Sequence, residues 1–310
     1  MSKTEELKEF AYHKAPPPPR NNLKAIIVLI ISIMVLGWAF NGANFNVVEL
    51  VKGAGPFADT IGRMMPPSFN KILDKDHYSK PDDLTIVQLM LPMPLEKEQS
   101  RHKRIWWNNQ FPQTIVGATI QTIQMALAGT FLALLCAFPI SFLAARNTSP
   151  HPMVYTGVRT VLNLIRTIPD LALGLIFVSA VGLGAFAGTM ALAIHTTTVL
   201  AKLLSEAIEG IDEGVVEAVK TTGANYFQTI SFAVVPQMLP DLISFTLYRF
   251  ETNIRAAAVL GLIGAGGIGY LLNNAFRTFA YTEACAIVII LIVLVISVDT
   301  LSAKLRKVAI

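Results

Sequence analysis

The stretch "EAVKTTGANYFQTISFAVVP", residues 217–236, is polar, broken by a glycine, and set between two long apolar runs. Val215, Val216 and Val219 recur at helical spacing while Glu213 and Glu217 fall four apart on another face, which predicts a short amphipathic helix. Gly223 interrupts it, and "ANYFQTISF" supplies a second short turn of helix before Pro236 opens the next apolar run. The predicted shape is a helix-glycine-helix elbow. Such an elbow suits insertion into another protein, and it also suits a helix lying in a membrane interface. Within the loop 205–235 the acids Glu206, Glu209, Asp212, Glu213 and Glu217 face Lys220 alone, so charge bias does not assign its side of a membrane.

The flanks of the elbow set the frame. The 310-residue chain is 53% hydrophobic and 15% charged. Soluble domains carry about 25% charged residues. No Asp, Glu, Lys or Arg occurs between Ile105 and Ala145 or between Leu171 and Ala201, runs long enough to span a bilayer. The expectation is an all-α, multi-pass protein of the cell inner membrane with six transmembrane helices. These run over residues 23–40, from Thr119 to Ala145, from Tyr155 to Leu183, on to Leu204, from Gln237 to Leu260 and from Ala280 to Leu301. Lys3, Lys8, Lys14 and Arg20 place the tail 1–22 in the cytoplasm, and the first helix reads as uncleaved because no small-x-small site follows it. Six crossings bring "KLRK", 304–307, back to the same side. That parity puts the segment 41–112 outside and the elbow inside, although "RHKR" at 101–104 runs against the positive-inside tendency, which weakens in long loops.

Smaller features add limits. Trp106 and Trp107 suit a headgroup-level anchor or an aromatic pair on a soluble face. Cys136 and Cys285 lie inside apolar runs and read as small buried side chains, not as a disulfide or a metal site. "GLIGAGGIG", 261–269, follows an apolar helix and not a strand, so it predicts close helix contact or a buried break, not a nucleotide loop.

Charges inside spans are the candidate functional groups, since ionised side chains at membrane depth are costly. Arg159, Asn163, Arg166 and Asp170 stand at steps of four, three and four, predicting one polar stripe facing the bundle interior. Arg249, Thr252 and Asn253 mark a neighbouring helix, where Glu251 and Arg255 are spaced to pair. Arg249 has no acid three or four residues away. It is therefore the first candidate to line a path for an anion, with Arg166, Arg255 and Asn253 behind it.

Glu217, Ala218, Gly223 and Pro236 resemble the "EAA" signature of ABC importer permeases, with Val219 where a second Ala is usual and Val235 where Leu is usual. The resemblance implies a five-helix type I importer core over residues 113–305. In it the loop 205–235 carries coupling helices that dock on an ATP-binding subunit, through Val215, Glu217, Ala218, Val219 and Gly223. It implies a second copy of the chain, two cytoplasmic ATP-binding subunits and an extracytoplasmic solute-binding protein, within membrane lipid and without nucleic acid. The chain has no Walker-type phosphate loop, so it is expected to bind no cofactor, with ATP and Mg on the partner ATPase.

A narrower resemblance joins "NFNVVELVKG" at 44–53, "GRMMPPSF" at 62–69, "RTIPD" at 166–170 and "LYRFETNIRAAAVLGLIGAGGIGY" at 247–270 to the phosphonate-importer permeases. It implies a phosphonate, phosphite or phosphate cargo. Asp170 stands where Glu is more usual there, and residues 70–104 are longer than the usual external segment. Two readings stand beside it: a permease for another small solute, and an intramembrane enzyme acting on a phosphorylated lipid through His195, Lys202, Glu206 and Asp299. The enzyme reading lacks paired carboxylates and any HExxH-type ligand spacing.

Overall fold

The structure, a computed structural model, describes residues 23–69, 81–91 and 93–309, and its described residues are helical without strands. The tail 1–22 and the stretch 70–80, which belongs to the expected external segment, lie outside them. The chain divides into two compact units that part after Thr60.

The first unit holds α1, Leu23–Gly42, and most of α2, Val47–Met64, which meet at a bend of 46°. Helix α1 is apolar around its whole circumference and exposed, as a lipid-facing span must be. Helix α2 segregates Glu49, Lys52, Asp59 and Arg63 from Val47, Leu50, Val51, Phe57 and Ile61, a division that the reading of 41–112 as an external segment left open.

The second unit begins with a small cap built from α3, Ile86–Met90, and α4, Lys97–Ile105, followed by a π turn, Trp106–Gln110. Leu84, Leu89, Trp106 and Phe111 form its core. The tryptophan pair is thus the packing centre of a cap: the rings of Trp106 and Trp107 stack on Phe111 at 4.6 and 5.0 Å. "RHKR" is used there as well, since the Lys103 ammonium donates to the carbonyls of Gln88 and Leu91 (2.7 Å for the latter) and His102 meets Asp83 at 2.9 Å. These contacts hold positive charge in a folded cap.

Below the cap lies the bundle: α5, Ile115–Ala144; α6, Pro152–Arg166; α7, Asp170–Val181; α8, Ala185–Glu209; α9, Glu213–Thr221; α10, Tyr226–Thr229; α11, Val235–Gly261; α12, Gly267–Arg277; and α13, Tyr281–Ala309. Among the described residues, four helical stretches are long and apolar enough to cross a membrane, or up to six if each of two bent pairs is one span. Helix α8 is the central element and packs on α5, α6, α7 and α11. Its seam with α5 mixes small and large residues: Ala137 and Ala201 pack with Leu200 and Leu204, and a Cβ on Gly129 would stand 3.0 Å from the Cβ of Leu192.

Four expectations are corrected. The third span, read as continuous from Tyr155 to Leu183, is broken into α6 and α7 with an 83° bend. Pro169 causes it, because proline has no N–H to give and biases the preceding residue away from helix. Pro236 does not open a new helix: a π turn, Ile230–Val234, runs α10 straight into α11, and Pro236 lies inside the continuous stretch Tyr226–Gly261, where the widened π turn before it makes room for a residue without an N–H donor. The glycine block is followed by α12, an element not expected, whose start is capped on α5 by Gln121 Oε1 and Thr122 Oγ1, accepting from the backbone N–H of Gly267 and Ile268 at 2.8 and 2.9 Å. Close contact at the block is as expected: a Cβ on Gly269 would stand 1.8 Å from the Ala258 carbonyl oxygen. Cys136, expected buried, is exposed, because an apolar outer face meets lipid and needs no protein cover.

Candidate functional site

The elbow forms as two helices. Asp212 caps α9 by accepting from the Gly214 N–H at 2.8 Å, and Asn225 with Gln228 makes a reciprocal capping box on α10. Between them Gly223 adopts φ +84°, a left-handed conformation that β-substituted residues resist. Of the three valines, Val216 and Val219 are half-buried, Val216 against the bundle core with Ile211, while Val215 stays exposed. Glu217 and Ala218 are exposed, and Glu217 makes no hydrogen bond or ion pair among the described residues. A hollow of about 280 Å³ lies beside the helix, lined by Asn147, Glu213, Val216, Glu217 and Lys220 among others.

The elbow is tied to the turn between α5 and α6. Glu209, at the end of α8, accepts from the Arg146 N–H at 2.8 Å and from Arg159 at 3.0 Å. The Tyr226 hydroxyl donates to the Thr148 carbonyl at 2.6 Å, and Asn147 donates to the carbonyl of Ile208 at 2.6 Å. None of these long-range partners was singled out from sequence, apart from Arg159, which was expected in an interior stripe. That stripe does not form as one line, because the break at Pro169 puts Asp170 on α7 while Arg159 turns to Glu209. Asn163 instead meets the Lys202 ammonium of α8 at 3.4 Å.

A second polar group lies inside the bundle. Arg249 is 7% exposed, and Asn253 one turn later is 1% exposed. A relay links three helices: Arg249 donates to Thr196 Oγ1 at 3.3 Å, Thr196 to Asn253 Oδ1 at 2.9 Å, and the Asn253 amide to Thr130 Oγ1 at 2.8 Å. Arg249 makes no ion pair among the described residues, and its Nε has no hydrogen-bond partner. The hydroxyl of Thr246, one turn earlier, is buried and unpartnered too. Arg166 is exposed and makes no ion pair among the described residues. Arg255 is paired, with Glu251 at 2.9 Å and Asp299 at 3.3 Å, and Glu251 holds Arg306 at 3.1 Å. Thr130, and Thr196 as the first of the three threonines 196–198, are polar residues set in apolar runs and were the sequence signal for this relay. No group of three His, Cys, Asp or Glu side chains suited to a metal occurs among the described residues.

Residues 137–307 match the family described as binding-protein-dependent transport system inner membrane component. The chain belongs to that family. The permease is 43% identical over 188 residues to the phosphite transport system permease protein PtxC of Stutzerimonas stutzeri, a match covering 61% of this chain and 68% of that one. It is 41% identical over 197 residues to the phosphate-import permease protein PhnE of Mycolicibacterium smegmatis, covering 64% of this chain but 37% of that longer one. Its fold is that of ABC importer permeases. A chain of the MetNI methionine ABC transporter, in an inward-facing conformation, superposes with a TM-score of 0.56 at 20% identity, over 62% of this chain and 94% of that one. The permease is accordingly a multi-pass transport subunit of the inner membrane, as its composition and the elbow implied.

Proposed function

We propose that the permease is the membrane path of an ATP-driven importer for a phosphorus oxyanion: phosphonate, phosphite or phosphate. Two copies work with cytoplasmic ATP-binding subunits, which hold ATP and Mg, and with an extracytoplasmic solute-binding protein. Both termini are cytoplasmic. The family and the phosphite and phosphate relatives support this reading, and the observation that carries it is Arg249. A guanidinium that is buried, without an ion pair among the described residues and with an unpartnered Nε, retains donors for an anion. Its Thr196 contact keeps the group oriented, and a single guanidinium holds an anion loosely enough to release it. Arg166 and Asn253 are the supporting path residues. Arg255 is the weakest of the set because its charge is already answered. On the cytoplasmic face, α9 presents Val215, Glu217 and Ala218 to the ATPase, with Val219 and Gly223 setting the shape of the elbow.

Uptake into proteoliposomes holding the permease, its ATPase and its binding protein is the test. ATP-dependent accumulation of labelled phosphite, competed by phosphonate or phosphate and not by methionine, is expected. Uptake of methionine with no response to any phosphorus oxyanion would overturn the substrate assignment.

A further inference from the structure

Arg159 and Glu209 are fifty residues apart in sequence and meet at 3.0 Å, with about a quarter of each side chain exposed. Arg159 does more than pair. Its Nε donates to the Ala144 carbonyl at 3.0 Å, at the last residue of α5, and its guanidinium lies 4.8 Å from the Tyr155 ring centre. Glu209 spends its other oxygen on the Arg146 N–H. The end of α5, the middle of α6 and the end of α8 therefore join at one point.

The electrostatics of that point are unusual. Helices α5 and α8 both finish there, and helix C-termini carry partial negative charge, so a carboxylate at the last residue of α8 is unfavourable by itself. Arg159 offsets all three sources of negative potential at once. Glu209 is followed by Gly210 and Ile211 and then by Asp212, the cap of α9, whose own N–H donates to Gln237 of α11 at 3.0 Å. Two turns along α6 from Arg159 stands Arg166, at the break that leads to Asp170.

We propose that Arg159 and Glu209 form a clasp that makes α6 and α9 move as one body, so that displacement of the elbow by the ATPase reaches the broken third span and its charges. The clasp rests on the importer reading. Both are positioning residues: neither needs to touch cargo or nucleotide. The hydrogen bonds of Asn147 and Tyr226 secure the same turn, but they involve backbone carbonyls of the turn and of Ile208, whereas α6 is engaged through Arg159.

The test places nitroxide labels at Thr156 on α6 and Thr221 on α9, both exposed, in a chain with Cys136 and Cys285 replaced. Distances are measured by pulsed electron resonance in the assembled complex, nucleotide-free and vanadate-trapped. The wild type should give one narrow distribution that is the same in both states. Arg159→Ala and Glu209→Gln should broaden it and make it depend on nucleotide, with uptake per ATP falling about fivefold or more. Glu209→Gln keeps an acceptor for the Arg146 N–H, so it guards against a variant that fails by unfolding. An unchanged distribution in both variants, a wild-type distance that shifts with nucleotide, or intact uptake per ATP would each overturn the clasp. Failure of the wild type to carry any phosphorus oxyanion would refute the substrate and leave the distances readable, since they need only ATP.

Discussion

Replacing Arg249 by methionine should make the permease more stable and less active. The guanidinium is 7% exposed, has an unpartnered Nε, and makes no ion pair among the described residues. A buried donor left unsatisfied costs about 1–3 kcal/mol. Methionine has a similar reach and no donor, and Thr196 keeps its own hydrogen bond to Asn253 at 2.9 Å, so the relay loses one member without orphaning the next. The expected gain is about 1–2 kcal/mol, or a rise of a few degrees in the thermal midpoint. On the functional side, a hydrogen bond to a charged group contributes about 1.5–3 kcal/mol. Losing it should lower uptake at subsaturating cargo by about 10- to 150-fold. The assays are thermal unfolding of the purified complex and initial ATP-driven uptake of labelled phosphite in proteoliposomes. Arg249→Lys should recover part of the uptake, as a point charge without the planar fork. A falling midpoint together with unchanged uptake would refute the reasoning, because Arg249 would then be structural.

The elbow, the glycine contact and the topology give further expectations. Gly223→Val forces a β-branched residue into φ +84°, at about 1–2 kcal/mol, and should leave insertion intact while ATP hydrolysis and uptake separate; full coupling would argue against a role for the bend. Gly269→Ala drives a Cβ to 1.8 Å from the Ala258 carbonyl, where backbone must yield, and should cost about 3 kcal/mol in thermal unfolding; a midpoint equal to wild type would show that α12 does not seat on α11 so closely. Single cysteines at Lys97 and Thr221, in a chain otherwise free of cysteine, should react with an impermeant thiol reagent from opposite faces. Reaction from one face would break the six-crossing parity.

Lipid makes spans legible, because each must show a long apolar run whatever it packs against. The elbow was legible for a local reason, the helical spacing of its valines and the break at Gly223, and the structure adds Asp212 and Asn225 as caps that the reading did not use. What stayed hidden was of two kinds. Some signals were present but outweighed, as with Pro169, which breaks a helix that hydropathy draws as continuous, and Ile268, Leu271, Leu272 and Ala275, whose helical spacing was masked by the glycines before them. Others had no local trace. Glu209 and Arg159 are separated by fifty residues, and nothing near Glu209 says that Arg159 will neutralise it. The relay through Thr130, Thr196 and Asn253 stands between the two kinds: its polar residues show in the apolar runs, but they come from three helices and only the fold makes them one line.

The contact between α5 and α8 at Gly129 bears on how force travels in this molecule. A Cβ there would stand 3.0 Å from the Cβ of Leu192 and 3.4 Å from the Thr189 carbonyl oxygen, so the α5 backbone lies against α8 with no side chain of its own between them. Such a contact has no rotamer on the α5 side to redistribute, and a push cannot be absorbed there by repacking. It behaves as a stiff joint, passing a displacement of α8 to α5 and from there to the start of α12 that α5 holds through Gln121 and Thr122. A larger residue at position 129 would act as a spring.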